Sequence, residues 1–583
     1  MLKVFRTFYS FMLKRKLLFV SFLFSVIFSN ILSALNPYFF KKIVDNIPTL
    51  NFDNLLKILL LFIIVRISSI VIDIFAYWLG DMVSFNAGVE TRIKIFKKVQ
   101  DLDFAFHTHK STGSLISAFK RGDSSLFSFH HDLHHKMLGV LTNFLVMCFF
   151  FYRLDLNIVL MVFASFLVTI IASKFLINHN VAKRKIFNNQ EDNISGIITD
   201  NLINFETVKL FAKERWEENR LRNSFVLWMK SLWAYANTFR VIDATMGTII
   251  NTSIFVILYI AISKTINDKL NVGDFVLITG FISSFYPKLW DLVWGFRDLA
   301  KNYADIEKYY SLLDNDIEIK DPTNPISIKS VKGDILFRNV SHSYKDGTKN
   351  AIKNLTLNIK SGESVAFVGR SGSGKTTVTK LLMRFFDPSK GNITIDGIDI
   401  KKMNKSDLRK LFGVVPQEAV LFNNTIEYNI GYGSSVKYKP SNVAKAASLA
   451  NISNFIESLP DKYKTNVGER GIKLSGGQKQ RLAIARMIMK FSAFGAMSNP
   501  IVIFDEATSH LDSESERLIQ DAFWKYAKGK TTIIIAHRLS TIARADRIVV
   551  MDKGQIVETG THIELLNKNG GIYKKLWNIQ KQH

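Results

Sequence analysis

Six apolar runs follow one another in the first half of the chain, at residues 17–34, 55–79, 137–152, 158–176, 242–262 and 272–293. A helix needs about 20 mostly apolar residues to cross the hydrocarbon core of a bilayer. One such run could be the buried helix of a soluble domain; six in succession read as membrane spans. The third and fourth are short and joined by 153–157, so they form a tight hairpin. Pro287, Lys288 and Asp291 interrupt the sixth. The first run continues past signal-peptide length and no small-residue cleavage site precedes it, which makes it a retained span.

Charge sets the orientation. The 583 residues carry a formal net charge of +26. A nucleic-acid-binding protein would gather that excess on one face. Here Lys and Arg are spread along the chain, many beside apolar runs, as in the inner loops of a membrane protein. Lipid is the expected surroundings, and no nucleic acid is expected as a partner. Lys3, Arg6 and 14–16 precede the first span; Arg92, Lys94, Lys97 and Lys98 follow the second; Lys183, Arg184 and Lys185 follow the fourth. These segments are predicted to be cytoplasmic, with the second half of the chain on the same side of a cytoplasmic membrane. The single cysteine, Cys148, allows no intrachain disulfide, so nothing marks an oxidising compartment.

The two long inner stretches, about 80–136 and 177–240, read as helices that carry the spans into the cytosol and meet in pairs, with 111–113 as one turn. Residues 315–332 are polar, hold Pro322 and Pro325, and read as a linker. From Asp334 onward short β-rich runs alternate with helices, which predicts an α/β domain with a largely parallel sheet. The expected domains are 1–314 (membrane), 315–333 (linker) and 334–583.

The chemistry lies in this second part. Gly369, Arg370, Ser371, Gly372, Ser373, Gly374, Lys375 and Thr376 match G-x-x-x-x-G-K-[ST], between the apolar run 364–368 and a helical run that continues with Thr377. Glycines let backbone N–H groups approach phosphates, and the helix N-terminus adds a favourable dipole. Lys375 is predicted to reach the β- and γ-phosphates of ATP, and Thr376 to hold Mg²⁺. A second apolar run, 501–504, ends in Asp505 and Glu506. Asp505 suits the Mg²⁺, and Glu506 would polarise the attacking water. An ordinary strand followed by a polar loop is the plainer alternative.

A second glycine-rich helix start follows at Ser475, Gly476, Gly477 and Gln478, inside LSGGQKQR. It could hold a γ-phosphate, yet one domain has no use for two such surfaces. Two copies facing head to tail do: each ATP would lie between 369–376 of one copy and 475–478 of the other.

In their order these features resemble the half-size ABC exporters, over nearly the whole chain. The resemblance implies an all-α transmembrane bundle of six long helices followed by an α/β P-loop NTPase domain. It implies that Tyr344 stacks on adenine and that Gln417, in VVPQEAVLF, senses Mg²⁺ and joins the catalytic set. Residues 465–471 (TNVGERG) match the stretch before the signature. By the same resemblance Asp512 lies in the loop that crosses the dimer and His537 meets the γ-phosphate. The implied catalytic residues are Glu506, His537, Lys375 and Gln417; the implied Mg²⁺ ligands are Thr376, Gln417 and Asp505. The implied activity is ATP hydrolysis driving export of a hydrophobic or amphipathic cargo, the implied partner a second half-transporter, identical in a homodimer with two active sites. Residues 106–113 and 204–211 look like the family's coupling regions.

Two departures stand out: the extra stretch 491–498 (FSAFGAMS), an extended loop or a contact site for a regulator, and His510 where alanine is commoner. Arg121-Gly122 and 204–211 look somewhat like exporters of glutathione-linked compounds; lipid flippases and multidrug exporters fit comparably. With no peptidase-like extension before the first span, peptide maturation is not expected. Polar residues within spans are costly and often functional. Arg66, Asp73, Asn143, Asp243, Asn251 and Asp291 are such residues, with helix-to-helix pairing as the alternative. Trp78, Tyr286, Trp290 and Trp294 could line a cavity. His130/His134 and His131/His135 are i, i+4 pairs, a solvated or membrane-proximal helix face or a metal- or pH-responsive cluster. Two other classes stay open at this stage: a soluble ABC ATPase, and a membrane-bound regulatory ATPase without cargo.

Overall fold

A computed structural model describes the chain apart from residues 1, 50, 111, 329, 345–349, 435, 469–470, 493–499, 506–512, 536–538 and 582–583. It divides into two compact units, Met1–Leu102 with His109–Asp316, and Asp103–Thr108 with Ile317–His583. Residues 103–108, expected within the 1–314 domain, group with the second unit and overlap the expected coupling region 106–113.

The first unit is helical. α1 (Leu2–Met12), α2 (Lys16–Ala34) and α3 (Asn36–Asn46) run almost without interruption into α4 (Phe52–Asp101). After the short α5 (Phe104–His109) come α6 (Thr112–His131), a π-helical turn at Asp132–Met137, and α7 (Leu138–Tyr152). α8 (Leu156–Ile203), α9 (Phe205–Leu210), α10 (Glu214–Ile266) and α11 (Val272–Asp314) complete it. The spans therefore do continue into long helices. α5 ends at His109 and α6 starts at Thr112; Ser111 of the expected turn 111–113 lies outside the described residues, and Thr112 and Gly113 are helical. The hairpin between α7 and α8 is as tight as expected: Asp155 caps α8 by accepting the Asn157 N–H at 2.9 Å, and it pairs with Lys264.

Five helical stretches among the described residues are long and apolar enough to cross a membrane: Leu2–Asn46, Phe52–Asp101, Leu115–Tyr152, Leu156–Ile203 and Glu214–Ile266. The sixth expected run is helical within α11 but more polar than these. α11 opens with a reciprocal capping box: Asn271 accepts from Asp274 N at 2.6 Å and Asp274 accepts from Asn271 N at 3.1 Å. It continues through Pro287, which removes one backbone donor, because buried Phe285, Tyr286 and Leu289 on either side hold it against its neighbours.

Many polar groups in the spans bond a carbonyl one turn back in their own helix, as Ser25, Thr169 and Asn251 do, and some pair between helices. Ser29 donates to Asp73 at 3.1 Å, Asn180 to Thr238 at 2.6 Å, and the Ser165 and Tyr286 hydroxyls lie 3.2 Å apart. Ile64, Ile67, Val71 and Ile74 of α4 are each more than half exposed, a surface that water would penalise and lipid or another helix would cover.

The second unit has two sheets. β1 (Ile335–His342), β2 (Ile352–Ile359), β4 (Lys390–Ile395) and β5 (Ile398–Asp399) form an antiparallel sheet in the order β2-β1-β4-β5. With β3 (Ser364–Val368) begins the other, in the order β10-β9-β3-β8-β7-β6, from β6 (Phe412–Val415), β7 (Ile501–Asp505), β8 (Thr532–Ile535), β9 (Arg547–Asp552) and β10 (Gln555–Gly560). It is parallel except for the β9–β10 pair. The largely parallel sheet expected from sequence is this one; the antiparallel sheet adds to it. β1 and β2 alternate buried and exposed positions, as a sheet with one covered face does, whereas β3 and β8 are buried throughout. Phe337, Ile393, Phe367, Val378 and Ile503 share the core between the sheets.

Helices α12 (Lys375–Leu382) and α13 (Lys405–Lys410) precede a largely helical layer of α14 (Ile426–Gly431), α15 (Pro440–Leu449), α16 (Ser453–Ser458), α17 (Gly476–Ser492) and α18 (Ser513–Ala527). Val502, Phe504, Leu482 and Phe523 lie in the core of that side.

Candidate nucleotide site

Parallel strands end on one edge, and here that edge gathers the predicted residues. Phe367 pairs with Ile535, Asp505 with Ile535, and Phe504 with Val415. The carboxyl ends of β3, β8, β7 and β6 therefore lie side by side, with the phosphate loop after Val368, Asp505 itself, and Gln417 two residues past Val415. Ligands of such sheets bind outside the carboxyl ends of the strands. Glu506, Asp512 and His537 lie outside the described residues, as do His510 and most of 491–498.

The loop itself is pre-shaped. Gly372 and Gly374 have φ of +77° and +105°, where a side chain is strained. At Gly374 a Cβ would also meet the Ala351 carbonyl oxygen at 2.8 Å. Gly374→Ala is therefore expected to lower the unfolding midpoint of the ATP-binding unit and weaken ATP binding by about tenfold, the effect of a left-handed position denied to alanine costing somewhat over 1 kcal/mol. Thermal unfolding with and without nucleotide checks it.

Lys375 is almost fully buried and its Nζ donates to the Gly369 carbonyl at 2.8 Å and the Arg370 carbonyl at 3.2 Å. The ammonium thus sits within the loop, over the place where the loop's N–H groups would hold phosphate. Ser373, also buried, has a hydroxyl without a partner among the described residues; Arg370 and Ser371 are exposed on the loop, and Thr376 opens α12 beside Lys375. Tyr344 is joined to that helix through its hydroxyl, 3.1 Å from the Thr377 Oγ1. Its ring packs edge-on to Phe386 at 5.2 Å and His342 at 5.1 Å. Burial holds the His342 pKa below its ordinary value, with its ring bonded to the Asp387 carbonyl opposing. The donor set of Thr376, Asp505 and Gln417, hard oxygens at one edge beside a phosphate loop, fits Mg²⁺.

The signature residues are placed differently. Ser475, Gly476, Gly477 and Gln478 form the start of α17, packed on α14 and α15. Ser475 and Gln478 cap one another: Gln478 N donates to Ser475 Oγ at 3.3 Å and Ser475 N to Gln478 Oε1 at 2.9 Å. Ser475 and Gly476 are exposed.

Three contributors escaped the sequence reading. Phe104 of α5 lies against Phe385 at 5.0 Å and Phe386 at 6.0 Å, with Lys380 over its ring. Gln480 donates to the Gln417 carbonyl at 2.6 Å. Arg486 donates to the Val420 and Asn429 carbonyls and to Asn429 Oδ1. Only the residue type and the polar spacing along α17 hinted at the last two; nothing local marked Phe104.

In the membrane unit, a cavity of about 710 Å³ lies between α10 and α11, lined by Asn251, Leu258, Thr279, Tyr286 and Trp290 among others. It includes two of the expected aromatics and one expected polar residue. Asn143 instead donates to the Gly139 carbonyl of its own helix at 2.8 Å and to Asn30 Oδ1 of α2 at 3.5 Å, and Arg66, Asp243 and Asp291 are exposed. His130 and His134 are buried, their rings 4.7 Å apart and packed against Phe22, whereas the His131 side chain is 44% exposed. Among the described residues no group of three or more His, Cys, Asp or Glu is arranged to hold a metal ion.

Comparison with known proteins gives concordant results. Residues 352–509 match the family described as ABC transporter, and residues 18–287 the one described as ABC transporter transmembrane region. The chain is 35% identical over 497 residues to Heavy metal tolerance factor 1 of Caenorhabditis elegans, covering 84% of this chain and 60% of that protein. The chain thus spans about three fifths of that relative's length. It is 32% identical over 569 residues to the mitochondrial Iron-sulfur clusters transporter ATM1 of Saccharomyces cerevisiae, covering 95% and 81%. A solved structure of a bacterial Atm1-family ABC exporter with ATP bound superposes with a TM-score of 0.84 at 31% identity, covering 97% of this chain and 98% of that one.

Proposed function

Because the chain belongs to the half-size ABC exporters of the Atm1 type, we propose that two identical copies pair in a cytoplasmic membrane and use ATP to export an amphipathic cargo. The observation that carries this reading is the common strand edge, which gathers the phosphate loop, Asp505 and Gln417, on a chain whose other unit is a bundle of membrane-length helices. Mg²⁺ would be held by Thr376, Asp505 and Gln417, ATP by 369–377 with its base against Tyr344. Glu506 would activate the water and His537 would meet the γ-phosphate. The γ-phosphate of one copy's ATP would be covered by Ser475, Gly476, Gly477 and Gln478 of the other, with Asp512 beside the seam. Exposed Phe205, Leu210 and Phe211 at the α8–α10 tip give the second copy an apolar surface to engage.

The cavity between α10 and α11 fits cargo with both polar groups and an apolar body, through Asn251 and Thr279 on one hand and Leu258 and Trp290 on the other. The test is ATPase activity in lipid nanodiscs across lipids, glutathione conjugates, hydrophobic drugs and metal or iron–sulfur species, followed by uptake into inside-out vesicles. One class should stimulate turnover and be transported. Trp290→Ala should then raise the concentration for half-maximal stimulation about tenfold, as loss of a buried aromatic contact does. A transported class that is indifferent to Trp290 would move the cargo site elsewhere; stimulation without uptake would overturn the export reading.

A further inference from the structure

α17 serves two places at once. Its first turn carries the signature residues. One turn further on, Gln480 is 6% exposed and points its amide at the loop that follows β6. Nε2 donates to the Gln417 carbonyl at 2.6 Å and to the Pro416 carbonyl at 3.2 Å, while Oε1 has no partner among the described residues. A buried amide with half its capacity unused is held there by the other half. Arg486, further along the same helix, fastens the Val420 and Asn429 carbonyls. Asn429 in turn exchanges hydrogen bonds with the backbone of Phe422, accepting at 2.9 Å and donating at 3.0 Å. The loop from 416 to 429 is therefore attached to the signature helix at two points, Gln480 being the one next to Gln417.

We propose that Gln480 is a positioning residue that ties the signature face of a chain to its own Gln417. This rests on the head-to-tail dimer of the proposed function. There, Ser475–Gln478 meet the partner's ATP while Gln417 meets the chain's own Mg²⁺. A phosphate engaging the capped start of α17 shifts that helix along its axis. The shift reaches the 416–417 peptide through Gln480 and alters where the Gln417 side chain stands. ATP at one site thereby sets the metal geometry at the other, and the two sites act as a pair.

The experiment uses the full chain in nanodiscs and the variant Gln480→Met, which keeps length and volume but removes the donor. Two hydrogen bonds to carbonyls are lost, so the Mg²⁺ concentration for half-maximal ATPase should rise about fivefold. The Hill coefficient for ATP should fall toward one. Binding of a fluorescent ATP analogue in EDTA, which does not involve the metal, should change less than twofold. An unchanged Mg²⁺ midpoint and Hill coefficient, whatever the maximal rate, would overturn the proposal and leave Gln480 a packing residue. Should Gln480→Met fail to fold, Gln480→Leu is read in the same way. A wild-type protein with no cooperativity in ATP would overturn the composite-site reading itself, an outcome separable from failure of the variant alone.

Discussion

Glu506→Gln is expected to cut steady-state ATP turnover by about 10²- to 10⁴-fold, the range removed with a general base, while leaving ATP-dependent closure of the dimer intact. β7 delivers Asp505 to the strand edge beside β6 and β8, and Glu506 is the next residue. The amide keeps the size of the carboxylate but cannot take a proton from water. Lys375, the glycine loop and the proposed Mg²⁺ ligands are untouched, so nucleotide should bind and stay. Gel filtration with labelled ATP should show nucleotide retained on the variant and rapidly lost from wild type. Undiminished turnover would remove Glu506 from the catalytic role.

A mixture of two dead chains should regain one working site. Lys375→Met removes the cation from the phosphate loop. Ser475→Phe removes the cap of α17 and fills the space in front of Gly476. Alone, each is expected to occlude nucleotide about 10²-fold less than wild type, the usual cost of losing one preorganised donor from such a site. In the mixed dimer, the intact loop of the Ser475→Phe chain faces the intact signature of the Lys375→Met chain. Vanadate-trapped nucleotide should reappear there at one per mixed dimer. If each chain instead completed its own site, the mixture would trap no more than its parents, and the head-to-tail arrangement would fall.

Local chemistry made part of this molecule readable in advance. Gly374 and Lys375 announce themselves because a left-handed glycine and a buried ammonium at fixed spacing have few other uses. The membrane helices were legible for the same reason, since twenty apolar residues leave little choice of surroundings. β1 and β2 were less so: their alternation shows that one face is covered, but not that β4 lies alongside β1 in between. The sixth run, 272–293, was legible as a helix and is one within α11; that it runs unbroken through Pro287 and Lys288, which interrupt the apolar pattern, depends on the burial of Phe285 and Leu289. His130 and His134 looked like a surface pair; only the folded chain puts Phe22 and Tyr9 against them. The placement of 103–108 depends on Phe104 meeting Phe385, a contact between residues far apart in sequence. The Gln480 amide is likewise given meaning by the carbonyls it finds, not by its neighbours in the chain.

α8 and α10 have 48 and 53 residues and pack along each other. At 1.5 Å per residue the longer is about 80 Å, and the hydrocarbon core takes about 30 Å of that. Some 50 Å of unbroken helix is left as a lever arm. A rocking of only about 5° about the membrane would sweep its far end through about 4 Å, a displacement comparable to a turn of helix. Two braced rods of this kind resist bending, so work done at their far end is delivered to the membrane as tilt, without being lost to flexing along the way.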